Sequence, residues 1–344
     1  MQKIRENGFD YFKGCACIAV ILIHCYFPNN IGIAIRTLCR FAVPVFFVVS
    51  GYFMLTDEDL CIRAKTIKKI KHITTMLIGA GVFYFFFDII RSLLTNYGGK
   101  GFQEYIKQLI TGINIIKFFV TNNPLRYAHL WFLMALIYCY ILMLLFDKTY
   151  PRKLVNSFPI LMIVFLIFGL WNNSLHLRAS INGKIYIKNL FVLRALPFFL
   201  AGMWLKKNRK IIDKWNISEC KLIIAIFLGS ILGLIERAVF MESQFYFGSY
   251  IVVAAMMIYA LKYNYKFRSD NFIVYIGREL STYIYIIHIA VGHTVNLIAT
   301  KHGISMKKFS YVNMFFVLAI SILLSQCIVS IRKLRLTKSK TINH

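Results

Sequence analysis

The stretch DYFKGCACIAVILIHC, residues 10–25, decides how the chain must be read. Most of it would sit comfortably in lipid, yet it carries Asp10, Lys13 and His24, groups that hydrocarbon penalises. Similar apolar runs recur along all 344 residues, of which 58% are hydrophobic and 16% charged. A soluble domain is nearer a quarter charged. A membrane-crossing helix takes about 20 mostly apolar residues, and the sequence supplies such runs repeatedly. They are too long and too uniformly apolar for barrel strands, whose two faces alternate. The expected fold is therefore all-α, a polytopic membrane protein of about ten transmembrane helices. The spans fall at roughly 9–28, 33–55, 73–94, 128–147, 157–173, 190–206, 221–238, 246–263, 275–299 and 309–331. No internal repeat, linker or low-complexity segment interrupts them. Residues 1–344 read as a single transmembrane domain, with a basic tail at 332–344.

The formal net charge of +27 raises the question of nucleic acid. A nucleic-acid binder concentrates Lys and Arg on one domain or stripe. Here they sit in short clusters between apolar runs, the pattern that orients a bacterial membrane protein, so no nucleic-acid partner is expected. Alternate connections carry roughly twice as many Lys and Arg as the others, the 206–221 region with Lys206, Lys207, Arg209, Lys210, Lys214 and Lys221 above all. By the positive-inside rule that set, and both termini with it, faces the cytoplasm. The longest external connection, about 95–127, has apolar residues at Ile106, Leu109, Ile110, Ile113, Ile116 and Val120, the spacing of a helix lying in the outer interface. The eight cysteines lie mostly inside apolar runs without a CxxC pair, and read as small buried side chains. No cleavable signal and no metal site is evident.

An ionisable residue inside a span is a functional candidate by default. Lys13 lies just inside the cytoplasmic edge of span 1. His24 is eleven residues on, about 16 Å further out and close to three whole turns away, so both point the same way. They mark two depths of one lined path. Arg40 lies in the outer half of span 2, Asp88 and Arg91 in the outer part of span 3, and Arg194 near the outer end of span 6. His129 opens span 4 beside Trp131, Glu236 and Arg237 end span 7, and His288 and His293 follow in span 9. Together these groups suggest one polar chamber open to the outside. Taken singly, Asp88, Arg91, Glu236 and Arg237 read as interfacial or mutually paired. Asp10 suits the positive end of the first helix dipole, and Trp131 an aromatic belt. His288 also reads as a histidine bonded to a neighbouring helix.

The blocks DYFKGCACIAVILIHC (10–25), RFAVPVFFVVSGYF (40–53), HLWFLMALIYCYIL (129–142), LPFFLAGMWL (196–205) and STYIYIIHIAV (281–291) resemble, in order, those of the acyltransferase-3 family. These are ten-span inner-membrane proteins that O-acylate surface glycans or related envelope molecules. The resemblance implies a membrane O-acyltransferase of the bacterial cytoplasmic membrane. Its donor would be acyl-CoA, acetyl-CoA first among them, and its acceptor an extracytoplasmic hydroxyl, a carbohydrate foremost. In the family a basic residue and a histidine with ten residues between them in span 1 are central to activity, and Lys13 and His24 match them. The family's basic residue is usually Arg; Lys keeps the charge but loses the flat bidentate fork. Two basic residues three apart at the cytoplasmic start of span 3 have counterparts in Lys68 and Lys71, which the resemblance assigns to the donor's phosphates. Basic residues also recur in the other cytoplasmic loops of the chain. No hydrolase-like domain is expected in the basic stretch after residue 331.

The residues make physical sense of that chemistry. Lys13, Lys68 and Lys71 would hold phosphates as point charges. A slender pantetheine arm would bring the thioester to His24. That imidazole can take a proton from the acceptor hydroxyl, or carry the acyl group itself. Arg40 is a candidate for stabilising the oxyanion. His129, Trp131, His288 and Asp10 are candidates for the acceptor side. Pro44 frees backbone carbonyls in span 2, and Ser50–Gly51 lets a helix approach closely. A small-solute transporter is the competing reading: the block around Arg40 also resembles the membrane half of some vancomycin-resistance serine racemases, which is linked to serine uptake. An inactive scaffold is a third.

Overall fold

The computed structural model describes residues 6–25, 27–55, 62–94, 111, 127–145, 155–174, 194–240 and 246–342. Among these the regular structure is helical, with no strand, as lipid requires when each backbone group must bond within its own segment. Five stretches are long and apolar enough to cross a membrane: Asn29–Tyr52, Arg63–Leu94, Glu219–Val239, Phe272–Lys301 and Asn313–Arg335. Trp131–Leu145 and Phe247–Lys262 are shorter apolar helices. The first helix, α1 (Asn7–His24), stays outside both sets because Asn7, Asp10, Lys13 and His24 dilute its hydropathy. The expected span 157–173 corresponds to a helix at Phe158–Ser174, and 190–206 to one that begins at Leu196, residues 190–193 lying outside the described ones. Nearly all of the interfacial helix expected within 95–127 also lies outside them.

The chain divides into two compact units, Met1–Phe46 with Ile211–His344, and Phe47–Lys210. The first holds α1, α2 (Asn29–Leu38) and a 3₁₀ turn at Cys39–Phe41 that leads into α3 (Ala42–Tyr52). The expected second span is therefore broken at Arg40. Pro44 stands in the first turn of α3, where a missing N–H is tolerated, and the carbonyl it cannot bond is that of Arg40. Later in the chain the same unit holds α9 (Glu219–Phe240), α10 (Phe247–Lys262), α11 (Phe272–Tyr275), a π-helical turn (Ile276–Leu280), α12 (Ser281–Lys301) and α14 (Asn313–Ile342). Two short helices, α8 (Arg209–Lys214) and α13 (Met306–Phe309), link these pieces.

α1 runs alongside α11, the π turn and α12. Its first turn is tied down by the loop after α10: the Gly8 N–H donates to Asn264 Oδ1 at 2.8 Å, and Asn7 Nδ2 to the Phe267 carbonyl at 3.0 Å. The backbones then approach as closely as glycine allows. A Cβ on Gly277 would stand 1.8 Å from the Asp10 carbonyl oxygen, and one on Gly14 2.1 Å from that of Ile273. Higher up, the Cys17 thiol donates to the Ser281 carbonyl at 3.5 Å. α14 closes over this pair, with Tyr275 donating to Gln326 Oε1 at 2.5 Å and Asn313 Nδ2 to Asn296 Oδ1 at 3.0 Å. Where the helices meet, Cys17, Ile21, Ile276, Leu280, Ile284 and Val317 form the core.

The second unit holds the body of α3, α4 (Ile62–Leu94), α5 (Trp131–Leu145), α6 (Phe158–Ser174) and α7 (Leu196–Lys207). α4 packs on α5 and α6 on α7. Gly51 bears out the expected close approach: its Cβ would stand 1.9 Å from the Phe199 carbonyl oxygen, and that of Gly202 1.9 Å from the Val48 carbonyl oxygen. α4 leaves Ile78, Val82, Phe86, Ile90 and Leu93 exposed, an apolar face suited to lipid.

Candidate functional site

In the first unit the residues singled out in α1 separate into its two ends. Asp10 occupies the first turn, where a carboxylate complements the helix dipole. Lys13 donates to it at 3.3 Å. The lysine is therefore half-buried and partnered, and its charge is shared with Asp10 before any anion arrives. Asp10 lies fourteen residues from His24, about 21 Å along the helix, so it does not join the histidine. Between Lys13 and His24 on the shared face stand Cys17 and Ile21, both buried in the core. That face is packed in this fold and is not an open path, contrary to the expectation from spacing alone.

At the far end of α1 the structure assembles what the spacing could not foresee. The His24 and His288 rings lie 5.2 Å apart between centroids, with planes inclined by 50°. His288 is 1% exposed, and its Nδ1 lies 3.0 Å from the Ile284 carbonyl oxygen and 2.8 Å from that of Tyr285. Arg40, on the 3₁₀ turn against which α1 packs, is within electrostatic reach of His24. His24, Arg40 and His288 thus form one group, contributed by α1, the break before α3, and α12. Elsewhere in this unit, α14 carries two buried polar residues the sequence reading passed over. Ser321 and Ser325 are fully buried, and their hydroxyls have no hydrogen-bond partner among the described residues. Their spacing of four along one helix was the available signal.

The second unit gathers another polar group. The 3₁₀ turn Ala128–Leu130 feeds α5, and it buries His129 beside Tyr84, ring centroids 5.2 Å apart. Tyr127, stacked on Tyr84 at 3.8 Å, donates its hydroxyl to Asp88 Oδ1 at 2.5 Å. The Arg194 guanidinium stands over the Trp131 ring, 5.3 Å from its centroid. Asp88, His129 and Arg194 are buried. Trp131, read from sequence as a belt aromatic, is engaged in that cation–π contact. Tyr84 and Tyr127 were missed, because aromatic residues are abundant throughout the chain. Lys68 and Lys71, on α4 of this unit, are both exposed.

Other expected members of an outer chamber have other duties. Glu236 is buried and accepts the N–H groups of Phe247 at 2.6 Å and Gly248 at 3.1 Å, so it caps α10. His293 is exposed. Among the described residues no group of His, Cys, Asp or Glu could hold a metal ion.

An amino-acid racemase of Enterococcus faecalis is 24% identical over 361 aligned residues, which take in 98% of this chain and 48% of that protein. The chain thus spans about half the length of that curated relative. No solved structure matches it. The acyltransferase-3 family profile, described as an acyltransferase domain, matches residues 6–331, nearly the whole chain, and the protein belongs to that family.

Proposed function

We propose that this membrane acyltransferase moves an acyl group, acetyl in the first instance, from cytoplasmic acyl-CoA to a hydroxyl of an envelope molecule, a carbohydrate foremost. In this reading about ten helices span the bacterial cytoplasmic membrane, with both termini inside. The observation that carries it is the grouping of His24, Arg40 and His288 at one end of α1. His24 takes the proton of the acceptor hydroxyl while the oxygen attacks the thioester carbonyl. The C–O bond forms, the C–S bond breaks, and the proton passes to the departing sulfur. Arg40 stabilises the oxyanion that forms between those events. If His24 instead carries the acyl group, the same bonds exchange in two steps through an acyl-imidazole, which acid quenching and mass spectrometry of the protein would trap.

Lys13, Lys68 and Lys71 supply cytoplasmic positive charge for the CoA phosphates. The exposed pair on α4 suits this better than Lys13, already matched by Asp10. Trp131, His129 and the Asp88–Tyr127 pair offer an acceptor sugar an aromatic surface and hydrogen-bonding groups. The decisive test is His24→Ala, assayed with acetyl-CoA on membrane vesicles as base-labile acetyl label on envelope material. Transfer is lost while insertion and the unfolding midpoint are kept; retained transfer ends the assignment.

A second reading, a carrier of a small amino acid such as serine, rests on the resemblance of the block around Arg40 to the membrane half of serine racemases. Uptake of labelled serine into vesicles without acyl-CoA, lost in Arg40→Ala, would establish it.

A further inference from the structure

His288 is too well placed to be a bystander. A carbonyl oxygen only accepts, so an imidazole nitrogen held by two of them must bear the ring's proton. Nδ1 of His288 is held in that way by Ile284 and Tyr285. In the neutral ring the lone pair is consequently on Nε2. The ring is fixed in orientation because its anchor is the backbone of its own helix. Two further features set it opposite His24. Cys17 bonds Ser281 across the same pair of helices, and both pairs, 17 with 281 and 24 with 288, share the sequence separation of 264, so the helices run parallel and in step. The π turn at Ile276–Leu280 comes just before. One residue wound into such a turn rotates all that follows by about 100°, so the turn determines which face of α12 meets α1.

We propose that His288 is a positioning and proton-sharing partner of His24. The inference rests on the reading of His24 as the group that takes the acceptor's proton. Imidazole nitrogens lie about 1.2 Å from their ring centroid, so at a ring spacing of 5.2 Å two nitrogens turned to face each other would stand about 2.8 Å apart, within hydrogen-bond range, and a turn of the half-buried His24 ring toward the buried Nε2 of His288 makes that bond. A His24 N–H donating to Nε2 of His288 leaves the opposite nitrogen of His24 with its lone pair toward the substrate. When that nitrogen takes the hydroxyl proton, His24 becomes a cation whose inner N–H bond to His288 strengthens. The proton then leaves for the CoA sulfur, and both rings return to their starting form. His288 never touches the reacting atoms; it sets the tautomer of the one that does.

Asn and Gln separate this role from a structural one. Asn at 288 offers an amide N–H near Nδ1, keeps the anchor and removes the acceptor; Gln offers its carbonyl near Nε2 and keeps the acceptor. Initial rates of acetyl transfer from acetyl-CoA are measured in membrane vesicles for His24→Ala, His288→Asn and His288→Gln. The relay predicts that His288→Asn lowers kcat about 10²-fold or more with an unchanged KM for acetyl-CoA, while His288→Gln stays within about 10-fold of the parent. Equal loss in both, or an active Asn variant beside an inactive Gln one, overturns it. An inactive His24→Ala beside an unaffected His288→Asn refutes the relay alone, whereas an active His24→Ala refutes the underlying reading of His24.

Discussion

Substituting Gly277 by alanine adds one methyl group, in the π turn, some three turns of helix from the paired histidines. The new carbon would stand 1.8 Å from the Asp10 carbonyl oxygen and 2.6 Å from the Gly14 nitrogen, where ordinary contact begins at 3.4 Å. Both obstacles are backbone, so no side chain can swing aside. α1 and the π turn must part by about 1.5 Å to restore a normal contact. Overpacking of this kind destabilises by about 1–3 kcal/mol, which lowers the unfolding midpoint in detergent without abolishing the fold. The larger effect falls on chemistry. A misplacement of about 1 Å at reacting groups can lower a rate 10²-fold, and His24 and His288 are held on the two elements being forced apart. Acetyl transfer in vesicles, normalised to folded protein, is therefore expected to fall about 10²-fold. Gly292→Ala is the control on the same continuous helical run, because its Cβ meets only Val317 Cγ2 at 3.9 Å. There alanine's better helix propensity, up to about 1 kcal/mol, is free to act. If the two variants match in rate and midpoint, the close approach of α1 to the π turn does not position the site.

Glu236→Ala removes the acceptor for two N–H groups at the start of α10, and is expected to destabilise by about 2 kcal/mol in denaturant titration, Glu236→Gln losing less. Tyr127→Phe deletes the hydrogen bond to the buried Asp88; it should cost about 1.5–3 kcal/mol of stability and raise KM for the acceptor with the KM for acetyl-CoA unchanged. Replacing both Lys68 and Lys71 by Gln should raise KM for acetyl-CoA by about 2- to 30-fold, since exposed charge pairs contribute about 0.2–1 kcal/mol each. That increase should fade in high salt, where the parent's own KM rises.

The apolar runs made the helices legible, because a segment that must satisfy its backbone in lipid has few alternatives. What periodicity could not convey was which neighbour each face meets. The spacing of Lys13 and His24 rightly set them on one side of α1, but it could not tell a packed face from a lined one, and Cys17 and Ile21 pack it. Pro44 was read as freeing backbone carbonyls in span 2, but the 3₁₀ turn at Cys39–Phe41, where the chain leaves α2, was not foreseen. The meeting of His24 and His288 was out of reach, because it depends on a π turn that has no signature in hydropathy. Glu236 was read as interfacial because its partners are backbone N–H groups, which every residue type but proline supplies.

The buried polar groups differ in what folding gains from them. Glu236 caps a helix, Asp88 accepts a phenol, Asn313 bonds Asn296, and Lys13 is matched by Asp10. Each of these satisfies a neighbour that the helices had already removed from water, and so offsets part of its own desolvation. His24 is different. Among the described residues its site is shared with a guanidinium and a second imidazole. Gathering three nitrogen-bearing cation formers within the fold has a desolvation cost that the bond from His24 to His288 offsets only in part, and a leucine at position 24 would pack against α12 at lower desolvation cost. Stability alone therefore predicts that His24→Leu raises the unfolding midpoint. If it does so while acyl transfer is lost, the histidine is held at the expense of stability for its chemistry. A His24→Leu protein that is less stable than its parent would mean instead that the imidazole is a structural element of the α1–α12 contact, and the case for its chemistry would then stand on the transfer assay alone.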